Sequence, residues 1–549
     1  MAATQDPTWG SEWNEVVDVI VVGCGAAGAS AAVTAVAGGA SVAILEKAPY
    51  PGGTTARSGG MMWIPNNPLL QASGVKDERD AALLYMCRTA YPALFRQDHP
   101  TLGLPQDRYD VIASFYDRGS EAVEHHQALG CLPLQPVNYP AYFSHLDLDK
   151  VRVGRSIEPV LPDDYVPTRD KTGGDLLVER LVEWAVENGA QLKTDHEVVD
   201  LLRNDDGEVV GVLAHAGKQT VLIGARRGVI FASGGFLHNE RMALDYLRGP
   251  VFGGAAASTA TGDFVRIGTK AGAQLGNMAH AWWAQDVLQM VAAHRVTSFD
   301  VYSPFGDSMI QVNRHGVRVV DEKAPYNERT PVHFQWDFAR AEFPNLLMFM
   351  IFDEAVIENP HRDLFRWPVP VRKDRGKEYL IVGEDLDELA RNIDAELTRF
   401  AETTGGVHLA EDFLPNLRAT IERFNTMAAT GVDEDFGRGG TPIEQRWAAP
   451  ARKGAASASM FPISGTGPYY CVILTPGALD TKGGPVTDGS ARVLSVDGEP
   501  IPGLYGAGNC IAAPAGQTYW GPGGTVGPAL VFGYIAAKDA IAVTDRVPS

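Results

Sequence analysis

The stretch that decides the fold is Val16–Val22 (VVDVIVV), together with the residues Gly23–Gly28 (GCGAAG) that follow it. A run of mostly β-branched apolar residues predicts a strand that is buried on both faces of a parallel sheet. An alanine-rich helix is predicted from the glycines to about Val36, and Ser41–Leu45 (SVAIL) is predicted to be a second buried strand. These segments form a complete βαβ unit, and they predict an α/β protein.

The glycine spacing in this unit, GxGxxG, predicts a binding site for a dinucleotide. Its three glycines allow a tight turn, close approach of a diphosphate and close packing of the helix on the strand. The helix N-terminus offers backbone N–H groups and the positive end of its dipole to that diphosphate. Glu46 ends the second strand, where a carboxylate accepts hydrogen bonds from ribose hydroxyls. The predicted contacts are Gly23, Gly25, Ala26, Ala27, Gly28 and Glu46.

Two further glycine clusters favour FAD over NAD as the dinucleotide. Pro51–Gly60 (PGGTTARSGG) directly follows the first unit, and it suits a cofactor that continues along a ribityl chain to a flavin. A second cluster, Gly503–Gly527, precedes a helix predicted from about Pro528 to Ala540, and a helix N-terminus stabilises the negative charge of a reduced flavin. The remaining predicted cofactor residues are Lys47, Gly53, Thr54, Thr55, Ser58, Gly59, Gly60, Ala232, Ser233, Gly234, Asp263, Gly508, Asn509, Val526 and Leu530.

The composition excludes several classes of protein. Of the 549 residues, 45% are apolar and 21% are charged, as in ordinary globular chains. The net charge of −20 repels phosphate polymers, so nucleic acid is not an expected partner. Five scattered cysteines without a CxxC pair argue against a disulfide framework and against a metal site. The chain shows no secretory signal and no apolar run of about 20 residues, which predicts a cytoplasmic protein without a transmembrane segment.

The order of these patterns predicts a discontinuous FAD-binding domain of the Rossmann type, with a second domain inserted into it. Gln191–Phe231 alternates short apolar segments with polar turns, which is typical of an antiparallel meander. Farther along, the chain becomes richer in aromatic and charged residues, with helical patterns at Asp385–Phe400 and Leu414–Met427. We therefore predict FAD-binding segments at 1–280 and 451–549 and an inserted α+β catalytic domain at 281–450.

Five stretches, in order along nearly the whole chain, resemble the FAD-dependent flavoprotein family of fumarate reductases and 3-ketosteroid dehydrogenases. The resemblance is to the 3-ketosteroid Δ1-dehydrogenase branch in particular, because the histidine-glycine-arginine segment of the fumarate reductases is not found in the sequence. The stretches are Gly52–Asn67 (GGTTARSGGMMWIPNN), Gly154–Pro159 (GRSIEP), Asp321–Tyr326 (DEKAPY), Asp480–Gly484 (DTKGG) and Gly503–Gly533.

The resemblance implies a non-covalent FAD, a 3-ketosteroid substrate that is desaturated between C1 and C2, and a quinone-like electron acceptor. In the family, a tyrosine hydroxyl and a glycine N–H hold the C3 carbonyl, and these roles match Tyr519 and Gly523. A tyrosinate removes a proton from C2 while flavin N5 accepts hydride from C1, and the tyrosinate matches Tyr326. A supporting tyrosine matches Tyr139 or Tyr142, and the sequence does not choose between them.

The chemistry of a ketone agrees with these roles, and it leaves alternatives open. Two donors on the carbonyl oxygen stabilise the enolate that forms as the neighbouring proton leaves. A tyrosine base, with an ordinary pKa near 10, needs a second phenol or a positive charge beside it. The alternatives are a related flavin desaturase or ene-reductase for a non-steroid cyclic ketone or enone, and a flavin-binding scaffold without catalysis. Trp520 favours the first of these, because the steroid enzymes more often have proline there, next to the expected substrate.

Overall fold

The computed structural model describes residues 13–166, 172–297, 304, 306–358 and 378–545. These residues pack into two compact units, and each unit is built from separate segments of the chain. Unit 1 contains the described parts of Met1–Tyr246, Ala256–Ala281 and Asp480–Ser549, and unit 2 contains those of Leu247–Ala255 and Trp282–Leu479.

The observed division differs from the predicted boundaries at 280 and 450, mainly on the C-terminal side. The segment after residue 450 still belongs to unit 2, because Met460, Ile463 and Tyr469 are buried in its core. The chain also enters unit 2 briefly at Leu247–Ala255, where β-pairing rather than composition decides the assignment.

In chain order, the described strands are β1 (Glu15–Val22), β2 (Val42–Leu45), β3 (Met62–Trp63), β4 (Leu134–Val137), β5 (Ser156–Pro159), β6 (Gln191–Lys193), β7 (His196–Arg203), β8 (Val209–Ala216), β9 (Gln219–Phe231), β10 (Gly253–Gly254), β11 (Leu275–Gly276), β12 (Ala281–Val287), β13 (Met309–Val312), β14 (Met348–Asp353), β15 (Ile381–Gly383), β16 (Tyr469–Thr481), β17 (Gly484–Pro485), β18 (Arg492–Leu494) and β19 (Pro500–Gly506).

The described helices are α1 (Ala26–Ala37), α2 (Pro68–Ala72), α3 (Arg79–Ala90), α4 (Gln106–Ala128), α5 (Gly173–Glu187), α6 (Glu240–Tyr246), α7 (Asp263–Lys270), α8 (Leu288–Ala293), α9 (Tyr326–Arg329), α10 (Glu354–Glu358), α11 (Leu386–Arg399), α12 (Ala401–Thr404), α13 (Phe413–Thr430), α14 (Pro442–Trp447) and α15 (Val526–Ala542). Short 3-10 turns occur at Thr55–Arg57, Thr330–Phe334 and Gly508–Cys510.

The central sheet of unit 1 confirms the predicted Rossmann-type α/β fold. Its strand order is β18–β19–β9–β1–β2–β6, and all neighbours are parallel except the pair β18 and β19. In the pair β1 and β2, Val19 lies opposite Val42 and Val22 lies opposite Leu45. Helix α1 connects these two strands, so the βαβ unit lies where the β-branched runs predict it.

The predicted meander is confirmed from His196 onward. Strands β7, β8 and β9 pair antiparallel, with polar turns between them. The first residues of the predicted meander, Gln191–Lys193, instead form β6, which pairs parallel with β2. Three residues are too short a run for their alternation to reveal the direction of pairing.

Helix α15 packs directly on α1 through backbone contact. A Cβ added to Gly533 would lie 2.2 Å from the carbonyl oxygen of Ala27, so only a glycine fits there. The hydroxyl of Ser30 donates to the carbonyl oxygen of Leu530 at 2.7 Å, which fixes the same pair of helices along their length. The close approach places the N-terminal ends of both helices in one unit, next to the glycine-rich turns.

A small antiparallel sheet, β3–β5–β4, lies next to a buried ion cluster in unit 1. Arg155 is fully buried, and it donates to both oxygens of Asp77 at 2.7 and 2.9 Å and to Asp149 at 2.9 Å. Its guanidinium also lies over the rings of Trp63 and Tyr85, 5.3 and 5.5 Å from their centroids. Two carboxylates and two aromatic faces therefore stabilise a charge that burial alone would penalise.

Unit 2 is an α+β structure. Strands β13, β14, β15 and β16 form antiparallel pairs, with β10 parallel to β16, and helices α11 and α13 cover the sheet. Both predicted helices are found, at Leu386–Arg399 and Phe413–Thr430. Their apolar faces, for example Leu389 and Leu417, pack on Phe349 and Ile351 of β14.

Three general features complete the fold. All five cysteines are buried and none is in a disulfide. Within the described ranges, no helix combines the length and the apolar character needed to cross a bilayer. In the same ranges, no group of three His, Cys, Asp or Glu side chains is arranged to hold a metal ion.

We expect Gly533→Ala to separate α15 from α1. Overpacking of this kind costs about 1–3 kcal/mol, so the melting temperature should fall by several degrees in differential scanning calorimetry, and retained cofactor should fall with it. The control is Gly465→Ala, because a Cβ there meets no atom within 4 Å. Equal melting temperatures for the two variants would contradict the packing described here.

Candidate active site

The turn between β1 and α1 brings two of the three glycines of the GxGxxG motif, Gly23 and Gly28, into close backbone contact. Gly23 has a φ of +96°, and a Cβ there would lie 2.5 Å from the carbonyl oxygen of Ala232. A Cβ at Gly28 would lie 2.0 Å from the carbonyl oxygen of Gly23. Gly25, the N-cap residue of α1, is roomier, since the nearest atom to an added Cβ is 3.4 Å away. The first turn of α1, with Ala26 and Ala27, therefore begins at a residue that makes only ordinary van der Waals contacts with its surroundings.

The carboxylate of Glu46 is held under this turn. It is 6% exposed, and it accepts the N–H of Cys24 and the N–H of Ala48, both at 2.9 Å. Burial raises the pKa of Glu46 above its ordinary value, although these hydrogen bonds oppose the shift. Each carboxylate oxygen keeps a second lone pair, so Glu46 is still able to accept a hydrogen bond from a ligand hydroxyl.

Two predicted cofactor residues, Lys47 and Asp263, form an ion pair. The ammonium of Lys47 lies 2.6 Å from a carboxylate oxygen of Asp263, and it also donates to the hydroxyl of Thr261 at 2.7 Å. Asp263 begins α7 behind Gly262, which has a φ of +78°. The fold thus joins residues that are 216 positions apart in the chain.

The second glycine loop is tied to the first. The N–H of Gly52 donates to the carbonyl oxygen of Cys24 at 2.8 Å, and the N–H of Ala26 donates to the hydroxyl of Thr55 at 3.1 Å.

The Ser58 hydroxyl accepts the N–H of Gly60 at 3.1 Å, which shapes the end of the second loop. The hydroxyl of Thr54 accepts the N–H of Ala257 at 3.1 Å. These contacts fix the loop beside the N-terminus of α1.

Gly53 and Gly59 occupy the open side of this second loop. A Cβ added to either residue meets no atom within 4 Å. Gly53 has a φ of +51°, which itself favours glycine, whereas nothing in the protein's own packing requires glycine at Gly59. The space beside both residues is open to a ligand that approaches the backbone.

The end of β9 and the start of the C-terminal glycine cluster lie side by side. The N–H of Ala232 donates to the carbonyl oxygen of Val22 at 2.7 Å, and Ser233 and Gly234 continue from it. A Cβ at Gly508 would lie 3.2 Å from the Cβ of Ala27 on α1. The structure therefore brings the predicted residues after β1, after β9 and after β19 to one edge of the sheet.

Asp480, which is not among the predicted site residues, holds these segments together. Its carboxylate accepts the N–H of Gly235 at 3.0 Å and the side-chain amide of Asn509 at 3.1 Å. Burial raises the pKa of Asp480 to about 6. The DTKGG match was the only available signal, because an isolated aspartate has no periodicity that distinguishes a buried site from a turn.

Val526 and Leu530 lie on the first two turns of α15, behind the segment Tyr519–Gly523. Tyr519 is 4% exposed, and its hydroxyl accepts a hydrogen bond from Thr525 at 2.9 Å. A Cβ added to Gly524 would lie 3.1 Å from two ring carbons of Tyr519, so the ring folds back over this backbone. The Tyr519 side chain and the backbone next to Gly523 are therefore neighbours.

The two tyrosines that the sequence did not separate have different surroundings. The ring of Tyr142 lies 5.3 Å from the ring of Tyr519, centroid to centroid, and the N–H of Tyr142 donates to the carbonyl oxygen of Trp520 at 3.0 Å. Tyr139 is also buried, and its carbonyl oxygen lies so close to Gly154 that a Cβ there would be 1.7 Å away. Tyr142 is thus the one with a described contact to Tyr519.

The Trp520 indole lies in an aromatic cluster. It is fully buried, it stacks on Phe115 at 5.6 Å and 12°, and it lies 5.5 Å from the ring of Trp63. Its N–H donates to the carbonyl oxygen of Met86 at 3.2 Å. The prediction that Trp520 alters the substrate's surroundings therefore has no support from the orientation of its side chain.

Tyr326 begins α9 in unit 2, and it is 6% exposed. Arg329, one turn later, is fully buried and donates to the carbonyl oxygens of Glu322 and Ala324, at 3.2 and 2.8 Å. Glu322 in turn pairs with Arg318 at 2.8 Å, and burial lowers the pKa of Arg329 to about 10. The DEKAPY stretch is thus fixed by buried charges immediately before Tyr326.

Comparison with known proteins agrees with this arrangement. A family model described as an FAD binding domain matches residues 18–526. The 3-oxosteroid 1-dehydrogenase of Mycolicibacterium smegmatis is 34% identical over 96% of this chain and 97% of its own length. The 4-oxocyclohexanecarboxylate 2-dehydrogenase of Sinomonas cyclohexanicum is 32% identical over 95% and 92%. These matches confirm the predicted family resemblance and the predicted FAD cofactor.

A solved structure shares the fold over nearly the same extent. It is the crystal structure of 3-ketosteroid delta1-dehydrogenase from Sterolibacterium denitrificans in complex with 1,4-androstadiene-3,17-dione. The TM-score is 0.80 and the identity is 27%, over 96% of this chain and 100% of that one.

We expect Asp480→Asn to flatten the pH dependence of stability. The folded pKa of Asp480 is about 6, against about 3.9 in an unfolded chain. Its contribution to stability is therefore full below about pH 4 and is lost as pH rises through about 6. Calorimetry from about pH 4 to 7 should show the parent's melting temperature falling relative to that of the variant. The exposed Asp497→Asn is the control, and parallel profiles for parent and Asp480→Asn would refute the role of burial.

Proposed function

Because this chain belongs to the flavoprotein family of 3-oxosteroid 1-dehydrogenases and fumarate reductases, FAD-dependent oxidoreductases of CH–CH bonds, we propose that it desaturates a 3-ketosteroid between C1 and C2. One observation carries the proposal, namely that the Tyr519 ring packs on the backbone next to Gly523. A phenol and a backbone N–H so placed are the two donors that a ketone oxygen needs as an enolate forms.

The residues around α1 fit the cofactor. The N-terminus of α1, whose N-cap residue Gly25 has no side chain, suits the diphosphate, and Glu46 suits a ribose. The open loop at Gly53 and Gly59 suits the path of the ribityl chain, and Val526 at the start of α15 suits the ring. When bound, FAD supplies the acceptor for hydride from the β-carbon of the ketone.

Tyr519 and Gly523 are proposed to hold the ketone oxygen. Thr525 donates to the Tyr519 hydroxyl, and a phenol that accepts one hydrogen bond is a better donor through its own proton. The ring of Tyr142 lies beside Tyr519, but the supporting tyrosine has to donate to the base Tyr326, so this contact does not choose Tyr142 over Tyr139. Both stay candidates, on the sequence match alone.

Tyr326 is proposed to remove the C2 proton, on the strength of the DEKAPY match. A tyrosine with an ordinary pKa near 10 needs a positive charge or a donor beside it. Arg329 follows Tyr326 by one turn on the same short helix, and its guanidinium is proposed as that charge. A quinone-like electron acceptor and a cytoplasmic location complete the proposal, as the family resemblance and the sequence suggest.

A second candidate is desaturation of a small cyclic oxo-carboxylate. The relative named as a 4-oxocyclohexanecarboxylate dehydrogenase is almost as similar to this chain as the steroid enzyme. The solved structure that shares the fold at a TM-score of 0.80, however, is a 3-ketosteroid delta1-dehydrogenase in complex with a steroid. We therefore favour the steroid.

We expect Tyr519→Phe to slow anaerobic flavin reduction by 4-androstene-3,17-dione by about 10²–10³-fold, the scale for loss of one oxyanion donor. Tyr326→Phe should slow it by about 10²–10⁴-fold, the scale for loss of a general base. Both variants should keep their yellow colour, because neither change touches the residues proposed to hold FAD. Stopped-flow absorbance at the flavin band measures the rate. The matched control is Tyr505→Phe, which loses a hydroxyl bonded to Asp539 at 2.9 Å. Normal rates in both test variants would refute the assigned roles.

A substrate panel separates the two candidates. Each buried CH₂ group contributes about 0.8 kcal/mol, so the four fused rings of a steroid should give the higher kcat/KM in a dye-coupled assay. 4-Androstene-3,17-dione should exceed 4-oxocyclohexanecarboxylate by at least about 10²-fold. The reverse order would establish the second candidate instead.

A further inference from the structure

The peptide bond between Pro522 and Gly523 is held from one side by a single side chain. The hydroxyl of Ser156 donates to the carbonyl oxygen of Pro522 at 2.7 Å, and both residues are buried. The direction of this hydrogen bond is fixed, because a carbonyl oxygen only accepts. Ser156 lies in the GRSIEP stretch, which contains none of the predicted catalytic or cofactor residues.

Holding that carbonyl also orients the N–H of Gly523. A peptide unit is planar and trans, so the C=O of Pro522 and the N–H of Gly523 point in opposite directions from one plane. Among the residues that the structure describes, no protein acceptor receives the N–H of Gly523. The carbonyl that Ser156 holds and the N–H of Gly523 therefore lie on opposite sides of one peptide unit, in which Pro522 is buried and Gly523 is partly exposed.

The neighbouring peptide groups have their own anchors. The carbonyl oxygen of Trp520 accepts the hydroxyl of Tyr85 at 2.7 Å, and the carbonyl oxygen of Gly523 accepts the N–H of Trp63 at 3.0 Å. The peptide between Pro522 and Gly523 lies between these two fixed points, and Ser156 is its described anchor. Gly523 has a φ of +93° and no Cβ, so its backbone alone does not prevent this plane from rotating.

Strand pairing delivers Ser156 to this place. In the antiparallel pair of β3 and β5, Ser156 lies opposite Trp63, whose N–H binds the same segment. The preceding residue, Arg155, is fixed by Asp77 and Asp149, which leaves little freedom at the start of β5. The hydroxyl is therefore presented by rigid elements rather than by a loop.

We propose that Ser156 is a positioning residue, whose hydroxyl fixes the Pro522–Gly523 peptide so that the Gly523 N–H faces the ketone oxygen. The inference rests on the proposed function, which assigns that N–H to the ketone. The hydrogen bond also polarises the peptide, and a polarised peptide is a stronger N–H donor. Ser156 itself touches neither the ketone nor the reacting atoms in this assignment.

The test compares Ser156→Ala with Ser156→Thr, which keeps the hydroxyl. Ser156→Ala should slow flavin reduction by 4-androstene-3,17-dione by about 10²-fold, the scale for loss of one oxyanion donor, while Ser156→Thr should restore most of the rate. The control is Thr34→Val. It deletes another buried hydroxyl-to-carbonyl hydrogen bond of unit 1, 2.8 Å long and in the later part of α1.

A second readout does not depend on turnover. The oxidised proteins are mixed with 1,4-androstadiene-3,17-dione carrying carbon-13 at C3, and the C3 carbonyl stretch is measured by isotope-edited infrared difference spectroscopy. In the parent and in Thr34→Val the stretch should move to lower frequency on binding. In Ser156→Ala it should return towards the frequency of the free steroid. A crystal structure of Ser156→Ala should show the Pro522–Gly523 peptide rotated.

The outcomes separate this inference from the proposed function. If Ser156→Ala keeps the parent's rate, carbonyl frequency and peptide orientation, while Tyr519→Phe loses activity, the role of Ser156 is wrong and the proposed function stands. If the Ser156→Ala peptide is rotated and the carbonyl stretch reverts, the inference holds. A parent protein that neither binds nor is reduced by any 3-ketosteroid would overturn the proposed function, and this inference with it.

Discussion

Backbone-to-backbone contact around helix α1 is the constraint on which unit 1 depends. Gly28 touches the carbonyl of Gly23, Gly23 lies against the end of β9, and Gly533 brings α15 onto Ala27. Each contact requires the absence of a side chain, so the sheet edge, the first turn of α1 and the middle of α15 pack together without intervening side chains. A dinucleotide site needs this density of exposed N–H groups, because its diphosphate is recognised mainly by the backbone.

The buried polar groups follow from the same compactness. Once strands and helices approach so closely, carboxylates replace water as partners of the N–H groups that no regular element satisfies. The Glu46 carboxylate accepts the N–H groups of Cys24 and Ala48 in this way, and the Asp480 carboxylate accepts the N–H of Gly235. These acids act as internal caps for irregular backbone, and burial raises the pKa of both.

The sequence predicted what periodicity and glycine chemistry determine locally. The βαβ unit, the strands from His196 onward and the two long helices of unit 2 lie within a few residues of the predicted bounds. Ion pairs between distant parts of the chain could not be predicted, because no sequence pattern near Lys47 indicates that its partner is Asp263. The extent of unit 2 to Leu479 depends on which core buries Met460 and Tyr469, and composition does not reveal that. Asp480 and Ser156 were visible only as members of matched stretches, because a hydrogen bond to backbone has no sequence period.

The ion cluster at Arg155 limits how this chain is able to evolve. Removing one partner of a buried ion pair typically costs about 3–5 kcal/mol, a large share of the usual margin of stability. Asp77, Asp149 and Arg155 are therefore expected to change together or not at all in any lineage. Substitutions that change which ketone the protein recognises would then arise at positions other than these three, where a single change leaves no buried charge without a partner.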